Sequence, residues 1–85
     1  MPYAIVVVPS AQRALQQIDK RDQKRIVVRI DALAQDPHPP GSRKMQGGTD
    51  EFRIRVGDYR VSYSVNDTEI TIVVIRIGHR RDIYR

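Results

Sequence analysis

Cysteine is absent from the 85 residues, which excludes a disulfide framework and a thiol nucleophile. Histidine is almost absent: only His38 and His79 offer imidazole, so neither a structural metal nor a cofactor is expected. Long apolar runs are missing as well. The longest, Ala4–Val8 and Ile70–Ile75, are far short of the roughly 20 residues that cross a bilayer. The N-terminus has no charged segment leading into an apolar one, so no secretion signal and no membrane partner are expected, and a cytoplasmic location is the simplest reading. Lysine is scarce too, with three against twelve arginines.

That last imbalance is informative. The formal charge is +5, and most of the cations are guanidinium groups, which are planar, permanently ionised and able to grip two phosphate or carboxylate oxygens at once. Nucleic acid, an acidic protein, or both are the implied partners. With 40% hydrophobic and 29% charged residues, the chain reads as an ordinary globular sequence. Its length suits one domain spanning residues 1–85, with one core and one site.

The pattern along the chain predicts an α+β fold. Tyr3–Val8 is β-branched and suits a strand, ended by Pro9-Ser10, with Ser10 as a helix cap. Ala11, Ala14, Leu15 and Ile18 recur at helical spacing. Ile26, Ile30, Leu33 and Ala34 form a second amphipathic stripe, with Asp22 as its candidate cap. Residues 36–49 hold prolines 37, 39 and 40 and glycines 41, 47 and 48, which predicts a long loop that neither continues a helix nor pairs well in a sheet. Phe52, Ile54 and Val56 alternate with Arg53 and Arg55. Tyr59, Val61, Tyr63 and Val65 alternate with Arg60, Ser62, Ser64 and Asn66, and Gly57-Asp58 joins the two runs as a hairpin turn. Residues 69–77 are apolar on both parities, as in a strand covered on both faces, and Gly78 is expected to stop it. The order is β-α-α-β-β-β: an antiparallel sheet with a helical hairpin on one face. Tyr3, Phe52, Tyr59 and Tyr63 share parity with core positions and are assigned to packing.

A two-residue turn at Gly57-Asp58 sets Arg55 opposite Arg60 and puts Arg53, Arg55 and Arg60 on one face. Like charges facing each other across two strands destabilise a sheet unless a counter-ion is present, and a bound phosphate supplies one. The competing reading is a solvated hairpin face partly neutralised by nearby acids.

Three segments carry a family resemblance: Lys44-Met45-Gln46-Gly47, the run Phe52-Arg53-Ile54-Arg55-Val56-Gly57-Asp58-Tyr59-Arg60-Val61-Ser62-Tyr63, and Gly78-His79-Arg80-Arg81-Asp82-Ile83-Tyr84-Arg85. Together they resemble the RelE/ParE toxin superfamily, and within it the RelE branch, whose microbial-ribonuclease-like fold has this order of elements. The resemblance implies a toxin of a type II toxin–antitoxin system, a metal-independent endoribonuclease that enters the ribosomal A site and cuts messenger RNA there. Its implied partners are the ribosome, mRNA and a cognate antitoxin that lays a helix or an extended arm across the basic face.

Carried over by position, Arg53 and Arg55 stand for two strand lysines of the family, Arg60 for its strand arginine, Arg80 for its C-terminal arginine and Tyr84 for its C-terminal tyrosine. The implied reaction drives a 2′-hydroxyl onto the adjacent phosphorus. Guanidinium groups of Arg60 and Arg80 suit the charge that builds on the phosphoryl oxygens. Tyr84 suits base stacking, and His79 is the candidate for proton transfer because an imidazole can take or give a proton where arginine is a poor base. Arg43, Lys44 and Arg81 are candidate RNA-backbone contacts, as are the helix cations Lys20, Arg21, Lys24, Arg25 and Arg29. The sequence departs from the family in its two strand arginines and in a spacing from Arg80 to Tyr84 two residues shorter. The chain ends at Arg85, so no C-terminal helix is expected. Two other readings compete: a ParE-like toxin that inhibits DNA gyrase by binding, and a module whose arginines only dock acidic residues of an antitoxin.

Overall fold

The structure, a computed structural model, describes residues 2–45 and 50–79. Its elements in chain order are β1 (Ala4–Val7), α1 (Pro9–Gln16), α2 (Lys20–Leu33), β2 (Arg43–Lys44), β3 (Glu51–Val56), β4 (Tyr59–Asn66) and β5 (Thr71–His79). The five strands form one sheet in the order β1-β5-β4-β3-β2, antiparallel throughout except that β1 runs parallel to β5. The α+β class and the helix pair beside a sheet are as the sequence implies, whereas the expected antiparallel sheet of four strands is corrected to a mixed one of five.

Each helix begins where local chemistry permits. α1 starts at Pro9, whose fixed φ suits a first helical position and whose missing N–H is no loss there. Ser10 therefore lies inside the first turn: Val8 occupies the cap position, and no side chain caps this helix. α2 is capped by Asp19, whose carboxylate accepts from the Arg21 N–H at 3.0 Å. Asp22 sits one turn further in, near the positive end of the helix dipole, and pairs with Arg25 at 3.5 Å. The Gln23 side-chain amide donates to the Leu15 carbonyl at 2.8 Å and ties the helices together.

Ala11 from α1 and Ile26, Ile30 and Leu33 from α2 meet Ile54, Val56, Val61, Tyr63, Val65, Ile72, Val74 and Ile77 from one face of the sheet, forming the core. Tyr3, Phe52 and Tyr59 pack at its margin. The aromatic residues are thus packing residues, Tyr63 fully buried among them.

Three local expectations are corrected. The proline- and glycine-rich loop does pair with the sheet: Arg43 lies opposite Arg53 and Lys44 opposite Phe52. Its conformation is fixed from outside the ladder. The Tyr63 hydroxyl donates to the Pro37 carbonyl at 2.7 Å, the His38 ring meets Phe52 edge-on at 4.6 Å, and Gly41 takes a left-handed φ of 91°.

Gly78 does not end β5, which continues to His79 because Gly78 pairs with Arg60. Nor is β5 covered equally on both faces. Ile72, Val74 and Ile77 are buried against the helices, Val73 and Ile75 are half-buried, and Arg76 is exposed. The apolar run hides a β-bulge: Tyr63 pairs with Val74 but Ser62 with Arg76, so Ile75 is extra and the alternation changes phase there.

Candidate nucleic-acid interface

The β3–β4 hairpin places the arginines. Gly57 has a φ of 61°, which closes a two-residue turn and sets Arg55 opposite Arg60. Because side chains alternate along a strand, Arg53, Arg55, Arg60 and Ser62 all lie on the face away from the helices. Arg43 joins them from β2, opposite Arg53. Gly41, Arg43, Arg53, Ile54, Arg55 and Arg60 line one depression of about 410 Å³.

Within it, Arg55 Nε donates to the Gly57 carbonyl at 3.3 Å; Arg29, which lines a separate cleft with Arg25 and Val56, reaches from α2 to the Arg55 carbonyl at 3.5 Å. The Nε of Arg60 is buried. Arg60 is therefore held by its surroundings, whereas Arg55 and Arg43 are exposed to whatever enters. The chemistry available is recognition of anionic oxygen. Four guanidinium groups offer donors and no acceptor, so the depression suits a phosphodiester and disfavours a cation. Among the described residues no group of three or more His, Cys, Asp or Glu side chains could hold a metal.

Other candidate residues lie elsewhere. His79 pairs with Tyr59, whose parity points to the helix side; its ring meets the Tyr59 ring edge-on at 5.5 Å, and both border a cleft with Ala14, Gln17 and Ile18. The sheet thus separates His79 from the arginines. Lys44, opposite Phe52, also has the parity of the helix side. Arg80, Arg81 and Tyr84 lie outside the described residues.

One cation escaped the sequence reading. Arg76 lies opposite Ser62 and so on the arginine face. Counting back from Gly78, once Gly78 is set opposite Arg60, would have found it. Reading Gly78 as a strand end hid that relation.

Comparisons with known proteins identify the family. The profile of the ParE toxin of type II toxin–antitoxin systems, parDE, matches residues 5–84. The chain is 34% identical over 88 residues to toxin RelG of Mycobacterium tuberculosis, an alignment covering 100% of this chain and 99% of RelG. Among solved structures it resembles the archaeal RelE–RelB complex of Pyrococcus horikoshii OT3, with a TM-score of 0.84 and 33% identity over 94% of this chain and 97% of that one. It also resembles the toxin–antitoxin complex RelBE2 of Mycobacterium tuberculosis, with a TM-score of 0.83 and 26% identity over 94% and 93% of the two chains. The protein belongs to the ParE toxin family of type II toxin–antitoxin systems, within the RelE/ParE superfamily. Among the described residues no helix is long and apolar enough to cross a membrane.

Proposed function

We propose that this toxin is a metal-independent endoribonuclease that cuts messenger RNA in the ribosomal A site. The observation that carries the reading is the gathering of Arg43, Arg53, Arg55 and Arg60 around one depression on the sheet face away from the helices. Four like charges brought to one point each raise the cost of the others until an anion arrives, and a phosphodiester, whose charge is shared by two oxygens, supplies one.

In the proposed reaction the scissile phosphate sits over Arg55 and Arg60. The 2′-hydroxyl attacks phosphorus, and the guanidinium groups, already in place, stabilise the extra charge on the phosphoryl oxygens without reorganising. The 2′-hydroxyl proton passes to water, the P–O5′ bond breaks to leave a 2′,3′-cyclic phosphate, and the leaving 5′-oxygen takes up a proton from water. Arg80 from the C-terminal segment adds a further cation and Tyr84 a ring for stacking on a base. His79 lies across the sheet, so its proposed part in proton transfer has no support from the geometry, and Arg53 and Arg55 serve as fixed charge.

The proposed partner is a small antitoxin, as in the toxin–antitoxin complex RelBE2 of Mycobacterium tuberculosis. An acidic arm laid over the arginine face would neutralise the cluster and exclude RNA. The site of action is the cytoplasm, where ribosomes are.

Primer extension on a defined messenger, with and without programmed ribosomes, tests the reading beside an Arg60→Ala, Arg80→Ala double variant. Discrete cuts that require ribosomes and vanish in the variant are expected. Intact messenger with inhibited DNA gyrase would instead favour a ParE-like toxin that binds without cutting, a reading kept in view by the family profile.

A further inference from the structure

The arginine face is larger than its depression. Ser62 on β4 pairs with Arg53 on one side and with Arg76 on the other, and Arg53 pairs in turn with Arg43. Arg43, Arg53, Ser62 and Arg76 thus form a row across four adjacent strands, with Arg55, Arg60 and Gly78 in a second row beside it. At about 4.8 Å between strands the first row is roughly 14 Å long, more than one phosphate group occupies. Arg76 is not among the residues lining the depression and extends the positive surface beyond it.

The bulge is what puts Arg76 there. With the register fixed by Tyr63 opposite Val74, an unshifted ladder would set Arg76 opposite Val61, on the buried helix side. The extra residue Ile75 shifts the phase. Ile77 then takes the core position, and Arg76 emerges on the arginine face, where it is exposed and forms no hydrogen bond or ion pair with a described residue. Gly78, opposite Arg60, has no side chain to stand between Arg60 and Arg76. Bulges beside active sites commonly re-aim a side chain in this way.

We infer that Arg76 is a substrate-binding residue which grips a backbone phosphate flanking the scissile one, so that the RNA strand crosses the sheet from β2 towards β5. The inference rests on the RNA-cleaving reading above. Arg76 supplies affinity and register. Its charge stands outside the depression where the phosphorus reacts, so the rate at saturation does not depend on it.

The experiment is ribosome-programmed cleavage by wild type, Arg76→Ala and Arg76→Lys, measured as the half-saturating toxin concentration over a range of potassium concentrations, with thermal melts confirming the fold. In Arg76→Ala the half-saturating concentration is expected to rise roughly tenfold. The logarithmic salt slope should fall by about 0.7, the value for one phosphate contact to a single strand. Maximal rate and cut position stay as in wild type, and Arg76→Lys recovers most of the affinity. An unchanged slope and half-saturation in Arg76→Ala overturns the inference, as does a loss of antitoxin affinity with cleavage untouched. No cut by the wild type at any concentration overturns the RNA-cleaving reading itself and takes the inference with it.

Discussion

Arg55 and Arg60 stand directly opposite each other across the β3–β4 hairpin, two like charges at a position where cross-strand neighbours normally attract. On the proposed reading a bound anion offsets this repulsion, which the free protein bears as a cost. Arg55→Gln is expected to raise stability by a few tenths of a kcal/mol in low salt, as the repulsion is relieved. The same change should lower cleavage about a hundredfold, as does losing one charge-stabilising donor elsewhere. Thermal melts with and without sulfate provide the check: sulfate should stabilise the wild type more than the variant. Equal responses would show that the two charges do not share an anion.

This pair was legible in the sequence because Gly57-Asp58 fixes the hairpin register and alternation does the rest. Other features were not. β2 has only two residues and takes its place from Tyr63 and Phe52, which are distant in sequence, so prolines and glycines dominate its local signal. The parallel pairing of β1 with β5 depends on the whole chain returning past the helices. The bulge at Ile75 is hard to see in a run where Thr71 to Ile75 and then Ile77 are β-branched, and with it went the face of Arg76 and the strand position of His79. Asp19 and Asp22 are equally good caps by residue type, and only the geometry of the corner between the helices selects Asp19.

That selection makes a stability prediction. Asp19→Ala removes the acceptor for the Arg21 N–H and is expected to cost about 1 kcal/mol in urea unfolding. Ser10→Ala, at the position the sequence favours as a cap, should be nearly neutral, since α1 has no side-chain cap to lose. A larger loss from Ser10→Ala than from Asp19→Ala would reverse the assignment.

Gly57 has a φ of 61°, and a Cβ there would meet the Arg25 guanidinium at about 3.4 Å. The guanidinium is the far end of a flexible side chain and can move, so the backbone conformation sets the cost. Gly57→Ala should destabilise by about 1–2 kcal/mol, and Gly57→Asn by less, because asparagine tolerates the left-handed region better than other residues with a side chain. Urea midpoints ranked wild type, Asn, Ala would bear this out. Equal midpoints for the two variants would mean that the Arg25 contact decides instead.

Tyr63 links the core to the loop that delivers Arg43, and its ionisation gives that link a pH dependence. Burial pushes its phenol above the ordinary value of 10.0. The neutral form is thus the one the fold accepts, and it donates to the Pro37 carbonyl. Below pH 10 the phenol is neutral in both folded and unfolded chains, so its contribution is constant. Above pH 10 the unfolded chain releases the proton first, and stability falls as pH rises through the folded value. Tyr63→Phe should cost about 1 kcal/mol at neutral pH through the lost hydrogen bond, yet lose less stability than wild type between neutral pH and pH 11. Urea unfolding at the two pH values measures both effects. If the gap between the proteins stays constant with pH, the phenol is not held neutral by the fold, and the loop is anchored chiefly by the His38–Phe52 contact.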